Sequence, residues 1–146
     1  MGVRFVLEKS VLAGFDADQQ ELLQLTWTLI NAIQTGDTEV YALLTSDELS
    51  CYEDVCDHRI DGLAFHTSLI QQMAGSDTQP VRFDMLSPRV QVYANTAIVC
   101  YTRLITFNNA GKPHWQSYNE SRVFVRFAGE EGTRHWKMVH FHRSPV

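Results

Sequence analysis

The 146-residue sequence lacks several features that would mark a membrane, secreted or nucleic-acid-binding protein. It has no apolar run near the roughly 20 residues that span a bilayer. Glu8 and Lys9 interrupt the N-terminal segment where a signal peptide would continue its apolar stretch. The formal net charge is −5, so a basic surface for phosphates is not expected. These absences predict a cytoplasmic protein that binds neither nucleic acid nor membrane.

Cysteine is scarce, with only Cys51, Cys56 and Cys100. Their number is odd and no C-x-x-C spacing joins them, which argues against a disulfide framework and against a zinc knuckle. The sequence therefore predicts free thiols in a reducing compartment.

Catalytic motifs are absent as well. The sequence contains no G-x-S-x-G elbow, no G-x-x-x-x-G-K phosphate loop and none of the protein-kinase signatures. The acidic side chains of Glu53, Asp54, Asp57 and Asp61 crowd one segment, which is typical of a solvated face. We therefore expect no catalytic residues, no cofactor and no resident metal.

Helical periodicity dominates the first half of the chain. A long helix is predicted after an Asp cap at position 16 or 18, and Gly36 is suited to end it in a left-handed conformation. Its apolar stripe is Leu22, Leu25, Leu29 and Ile33. A second helix is predicted over 38–46 with Asp37 as its cap, and a third over 62–75 with Asp61 as its cap.

From residue 81 onward the hydrophobic period changes to two. The β-rich runs are 81–93, 96–107, 114–127 and 134–143, and the turns NNAGK and GEEG join the last three as an antiparallel meander. Helices followed by strands predict a single α+β domain. Its long N-terminal helix and two shorter helices should pack in a strongly curved antiparallel sheet, a cone whose interior is the candidate site.

Charged side chains fall on strand faces that are otherwise apolar. Arg103 shares a face with Tyr101 in one strand, and Glu120 and Arg122 share a face with Phe124 in the next. Converging guanidinium groups could hold a carboxylate or phosphate through paired hydrogen bonds. Alternatively, Glu120 simply neutralises the arginines as a structural pair. Both interpretations remain open from the residues.

The histidines allow two interpretations. His140 and His142 project from one strand face, and His135 or His66 could complete a metal site, although hydrogen bonding in a core or interface is the favoured role. His66 alone could be a general base in a cavity or an ordinary helix residue that faces the sheet.

Four segments resemble one known family: ELLQLTWTLINAIQTGDTEVY, GLAFH, CYTRLITFNNAGKPHWQSYNESRVFVRF and WKMVHFHRSP. They are similar in order and spacing to the association, or hub, domain of calcium/calmodulin-dependent protein kinase II, a member of the NTF2-like superfamily. The resemblance covers about residues 19–145. It implies an NTF2-like cone and a non-catalytic oligomerisation module that forms two stacked rings of about 12 to 18 subunits.

The resemblance also implies partners and a cavity. Such rings hold tethered or separate kinase domains at high local concentration. The motif positions predict an anion-binding cavity that could take a small carboxylate. Its predicted residues are Arg103, Arg122, Arg143, His66, Glu120 and Tyr101.

The sequence departs from the family in places. It reads Ser87-Pro88-Arg89 where animal members commonly have Asn-Pro-His, and Glu53-Asp54 where they have Glu-Pro. We expect a domain over 18–146 preceded by an extension over 1–17, whose residues 3–8 alternate like a sheet-edge strand or form a disordered terminus. No kinase sequence or basic calmodulin target is recognised in the extension, which suggests an excised hub or a free-standing relative.

Other functions are compatible with the same fold. The chain could be a free-standing NTF2-like small-molecule-binding protein or an enzyme of the isomerase or hydratase type, acting as a dimer. Only His66, Tyr101 and Glu120 could then supply acid or base groups. A weaker alternative is a dimeric adaptor that uses the exposed sheet face.

Overall fold

The computed structural model describes residues 9–76, 78–129 and 134–146. The helices are α1 (Lys9–Leu12), α2 (Ala17–Thr35), α3 (Thr38–Leu43) and α4 (Leu63–Ala74). The strands are β1 (Thr45–Tyr52), β2 (Ile60–Asp61), β3 (Gln79–Tyr93), β4 (Thr96–Asn109), β5 (Lys112–Ala128) and β6 (Arg134–Pro145). The strand considered for residues 3–8 lies outside the described residues.

The six strands form one sheet in the order β2-β1-β6-β5-β4-β3. Strands β4 to β6 form the predicted antiparallel meander, and β3 extends it by pairing antiparallel with β4. Strand β1 joins this meander parallel to β6, with Cys51 opposite Phe141. The parallel pair was not predicted, because Asp47 and Glu48 are adjacent exposed residues that interrupt the alternation of β1. The sheet is therefore mixed at one edge.

The ends of the first two long helical segments follow from their capping residues. The Asp16 side chain accepts a hydrogen bond from the backbone N–H of Gln19, whose own side chain bonds back to the Asp16 N–H. Gly36 takes φ 72° at the end of α2. Asp37 then caps α3 by accepting from the N–H of Val40. These predicted caps are confirmed.

Two predicted boundaries are wrong. Asp61 does not cap α4, because it belongs to β2, where it pairs with Ser50, and its carboxylate bonds to Arg59. Gly62 holds the cap position without a side-chain bond. Helix α3 ends at Leu43 instead of position 46, since Thr45 already pairs with β6. A long-range strand pairing overrides the local helix signal in each case.

The concave face of the sheet packs against the helices. Leu22, Leu23, Leu29 and Ile30 of α2 are fully buried, and the Trp27 ring lies 5.4 Å from that of Phe83 in β3. Register shifts in β3 and between β5 and β6 mark irregularities of the kind that bend and twist a sheet. The inner face of this curled sheet carries the candidate site. No described helix is long and apolar enough to cross a membrane.

Candidate functional site

Glu120 lies at the centre of a buried polar network on the inner face. Its Oε2 is 2.6 Å from Nη2 of Arg103, and its Oε1 is 3.1 Å from Nη2 of Arg122. The Tyr101 hydroxyl donates to Glu120 Oε1 at 2.6 Å and accepts from Nε of Arg122 at 2.7 Å. The network forms because Tyr101 stands opposite Glu120 in the β4–β5 register. The even face of β5 is thus buried, as its alternation predicts.

Glu120 supplies the one negative charge of this network, and two guanidinium groups share it. Burial alone would raise the pKa of Glu120, but the charges of Arg103 and Arg122 outweigh it and hold the pKa below its ordinary value. Burial raises the pKa of Tyr101, so this phenol remains a proton donor. The predicted structural pairing of Glu120 with the arginines is therefore present in the fold.

Arg103 has hydrogen-bonding capacity that this network does not use. Its Nε and Nη1 are buried and lack a hydrogen-bond partner within the part of the chain that the structure describes. The residue is only 2% exposed, yet it forms part of the wall of an open cavity of about 620 Å³. Buried guanidinium nitrogens without partners are costly, which makes them strong candidates for a ligand.

The cavity combines apolar walls with a few polar groups. Helices and strands contribute Ile33, Leu69, Met73, Ile105 and Phe107 to its surface. Arg103, Arg143 and Tyr118 form the polar part, and both guanidinium groups contact the Tyr118 ring, at 5.9 Å and 4.4 Å from its centroid. A volume and lining of this kind are typical of small-molecule sites.

Arg143 is paired with Asp54, an acid that the sequence predicted to lie on a solvated face. The Asp54 Oδ1 lies 2.6 Å from Nη2 of Arg143 and accepts a hydrogen bond from its Nε at 2.9 Å. Asp54 also lines the cavity. The expectation of a solvated acidic face holds for Asp57 and Asp61, which are exposed. Asp54 is also exposed as a whole residue, but only 27% of its side chain is exposed and its carboxylate is paired with Arg143. The expectation is wrong for Glu53, whose side chain is 9% exposed.

Glu53 likewise turns inward and completes a chain of buried side chains. Its Oε1 lies 3.0 Å from Nε2 of His66, and Nδ1 of His66 lies 2.5 Å from the Tyr41 hydroxyl. Burial raises the pKa of Tyr41, so its O–H donates to Nδ1 and the Nε2–H of His66 donates to Glu53. Burial alone would raise the pKa of Glu53, but His66 and nearby arginines lower it.

The six predicted site residues separate into three groups. Arg103 and Arg143 line the cavity, whereas Tyr101, Glu120 and Arg122 lie behind its wall. His66 lies apart from the cavity wall, between Tyr41 and Glu53. The predicted site did not include Tyr118, although its position on the even-numbered face of β5 indicated that it shares a face with the predicted site residues of that strand. Asp54 carried no such signal, because its contact with Arg143 joins residues 89 positions apart.

The other histidines do not gather around one point. His140 and His142 lie on the outer face of the sheet, where His140 bonds to Ser50 and both rings contact Tyr52. His66 lies on the inner side. Among the described residues, three possible ligand atoms come together only at Cys56, Asp57 and His58, on a largely exposed loop. All three cysteines are free.

Comparisons with known proteins point to one family. The model of the calcium/calmodulin dependent protein kinase II association domain matches residues 18–146. The delta subunit of the type II kinase from Oryctolagus cuniculus is 30% identical over 131 residues, which cover 88% of this chain and 24% of that protein. The chain thus spans about a quarter of this relative's length.

Solved structures agree in fold. The S. rosetta CaMKII hub is 27% identical, with a TM-score of 0.76, and the match covers 90% of this chain and 99% of that chain. An NTF2-like protein from Cytophaga hutchinsonii is only 14% identical, yet it has a TM-score of 0.70 over 90% of this chain and 100% of its own. The predicted α+β cone of NTF2-like type is therefore confirmed.

Proposed function

Because this chain belongs to the calcium/calmodulin-dependent protein kinase II association domain family, we propose that it is a non-catalytic oligomerisation hub. The proposal rests on the family match over residues 18–146. Copies assemble into a closed double ring of about 12 to 18 subunits, as repeated contacts around a symmetry axis allow. The ring holds kinase domains, tethered or separate, at a high local concentration.

The outer face of the sheet supports this proposal. Leu86, Trp115 and Phe127 lie on the face opposite the helices, and each has more than 40% of its surface exposed. Exposed large apolar side chains that share one face of a sheet are candidates for contacts with another copy. We assign the contacts between copies to this face and to the segments around Tyr52 and Ser87.

The mass of the purified chain in solution tests the proposal. Light scattering or native mass spectrometry at micromolar concentration should give a multiple of 16.7 kDa in the ring range. A strictly dimeric species would contradict it. That result would favour the alternative, a dimeric NTF2-like small-molecule-binding protein or an enzyme of the isomerase or hydratase type.

We also propose that the hub binds a small carboxylate in the cavity. The partnerless nitrogens of Arg103 favour it, since guanidinium N–H groups form charge-assisted hydrogen bonds with carboxylates. The acid-base candidates His66, Tyr101 and Glu120 do not lie on the cavity wall. This placement supports binding rather than proton transfer to a ligand.

Thermal stabilisation by a carboxylate tests the cavity. Benzoate should raise the melting temperature of the natural chain and leave that of Arg103→Ala unchanged. Arg59→Ala is the matched control, since Arg59 lies on an exposed loop and pairs with Asp61 there. Equal shifts in all three proteins would show that benzoate binds elsewhere.

A further inference from the structure

The contact between Asp54 and Arg143 places an acid of this chain where an external carboxylate would bind. Asp54 Oδ1 is within hydrogen-bond distance of both Nε and Nη2 of Arg143. This is the type of contact that a carboxylate ligand makes with arginine. Asp54 and Arg143 both line the cavity.

The two partners differ in how firmly the fold holds them. Arg143 lies in β6 opposite Glu120, and its guanidinium stacks on Tyr118 at 4.4 Å, with only 8% of its side chain exposed. Asp54 lies in the connection between β1 and β2, and 27% of its side chain is exposed. Asp54 is therefore the partner that can leave, while Arg143 stays in position.

The connection that carries Asp54 is anchored at its two ends. Glu53 is bonded to the buried His66, and Ile60 pairs with Cys51 in the sheet. Between these anchors, residues 54–59 are intermediate or exposed and form no helix or strand. Within that stretch, Asp54 and Val55 face the cavity. Because Cys56 of the same stretch packs against the core, a movement that opens the cavity needs to shift only Asp54 and Val55.

Electrostatics give Asp54 a selective role. Arg103 and Arg143 contact the same Tyr118 ring, so a ligand carboxylate near Arg103 would also approach Arg143. With Asp54 on Arg143, that ligand meets a like charge, which opposes binding in a partly desolvated site. Once Asp54 has left, both guanidinium groups can attract the ligand.

We propose that Asp54 is an internal anionic ligand of Arg143 that gates the cavity. An external carboxylate engages Arg143 only when the connection between β1 and β2 moves and carries Asp54 away from the guanidinium group. This inference rests on the proposed carboxylate-binding role of the cavity. It adds a specificity residue and a moving segment to that role.

Calorimetric titration of the intact assembly with benzoate tests the gate. The Asp54→Asn variant should bind benzoate about two- to fivefold more tightly than the natural chain, the upper part of the range expected for losing one partly exposed ionic competitor. Asp57→Asn is the matched control, because it removes the same charge from the same exposed connection, where Asp57 pairs with His58. Its affinity should stay within about twofold. Neutral benzamide should not distinguish the variants.

Amide hydrogen exchange supplies a second measurement. In the natural chain, saturating benzoate should increase exchange in residues 54–59, although bound ligands usually reduce exchange around their site. In Asp54→Asn this increase should be smaller, because the segment is already released.

The outcomes separate the gate from the cavity. Equal benzoate affinity in the natural chain and Asp54→Asn would overturn the gate and leave the carboxylate site intact. Weaker binding by Asp54→Asn would also overturn it, since Asp54 would then be helping the ligand. If neither protein binds benzoate, the carboxylate proposal fails and the gate fails with it, whereas the mass measurement still decides the hub.

Discussion

Glu120 is the residue on which the buried polar side chains of β4 and β5 depend. Its carboxylate pairs with both Arg103 and Arg122 and accepts a hydrogen bond from the Tyr101 hydroxyl. Two guanidinium groups that are 2% and 1% exposed would remain without this counter-charge if it were removed. Unpaired buried charges are among the most destabilising defects in a protein.

The substitution Glu120→Gln keeps the shape of the side chain and removes its charge. We expect it to lower the free energy of unfolding by about 3–5 kcal/mol, the usual cost of breaking a buried ion pair. Denaturant unfolding at fixed protein concentration measures the change. Glu21→Gln removes the same charge from an exposed position of α2 and should change it by under about 0.5 kcal/mol.

The lowered pKa values of Glu120 and Glu53 predict a loss of stability in acid. Both carboxyls have pKa values below 4.5 in the folded chain, so the unfolded chain binds protons more readily. Their stabilisation is complete above pH 4.5 and declines as the pH falls through the folded pKa values. Melting temperatures between pH 7 and pH 3 should fall steeply below pH 4.5, and less steeply for Glu120→Gln. An unchanged slope would contradict the role given to Glu120.

For single residues, the sequence predicted which face of a strand a side chain lies on better than it predicted which other side chain it contacts. Alternation along β4 and β5 correctly grouped Arg103 with Tyr101, and Glu120 with Arg122, on shared faces, and the structure shows these faces to be buried. It did not pair Asp54 with Arg143, because that contact depends on how a connection folds back over the sheet. Local sequence patterns carry no information on how such a connection folds back.

Gly36 connects two elements, the C-terminal end of α2 and the C-terminal end of α4. It adopts φ 72°, and a Cβ at this position would lie 2.8 Å from the Cβ of Ala74. The left-handed conformation and the close approach both favour glycine. The packing of α2 against α4 therefore requires a residue without a Cβ atom at position 36.

We expect Gly36→Ala to destabilise the chain by about 2–4 kcal/mol, because backbone strain and a steric overlap add together. Gly111→Ala separates the two effects, since Gly111 has φ 83° and open space around its Cβ position. That control should cost only about 1 kcal/mol. Equal losses in thermal or denaturant unfolding would refute the contact with Ala74.

The helix ends with local signals agree with the sequence, whereas two features that arise from long-range pairing, β2 at Asp61 and the parallel strand β1, were not predicted. Asp16, Gly36 and Asp37 mark helix ends that hydrogen bonds within a few residues decide. Asp61 looked like a cap on the same grounds, but its pairing with β1 placed it in a strand. The parallel position of β1 beside β6 has the same origin in long-range hydrogen bonds.

For the whole molecule, the proposed contacts between copies lie on the outer face of the sheet. We expect Leu86→Asp to reduce the assembly mass, because a charge would enter an apolar contact between copies. Circular dichroism should stay unchanged, since Leu86 is exposed in the single chain. Light scattering against concentration measures the effect.

Leu43→Asp is the control for Leu86→Asp. Leu43 is also exposed, but it lies on α3 rather than on the outer sheet face. Its assembly mass should remain that of the natural chain. If both variants keep the full mass, the contacts between copies lie elsewhere than at Leu86.

The amino-acid sequence alone predicted that helices α2 to α4 precede strands β3 to β6, most ends of those helices, and the position of Glu120 on the same strand face as Arg122. These features follow from periodicity and capping, which act over a few residues. The tertiary structure was needed to show that Asp54 pairs with Arg143 and that, among the described residues, Nε and Nη1 of Arg103 lack a partner. It also separated His66 from the cavity wall. Such contacts depend on the curvature of the sheet and the path of its connections, and both arise from packing between distant segments.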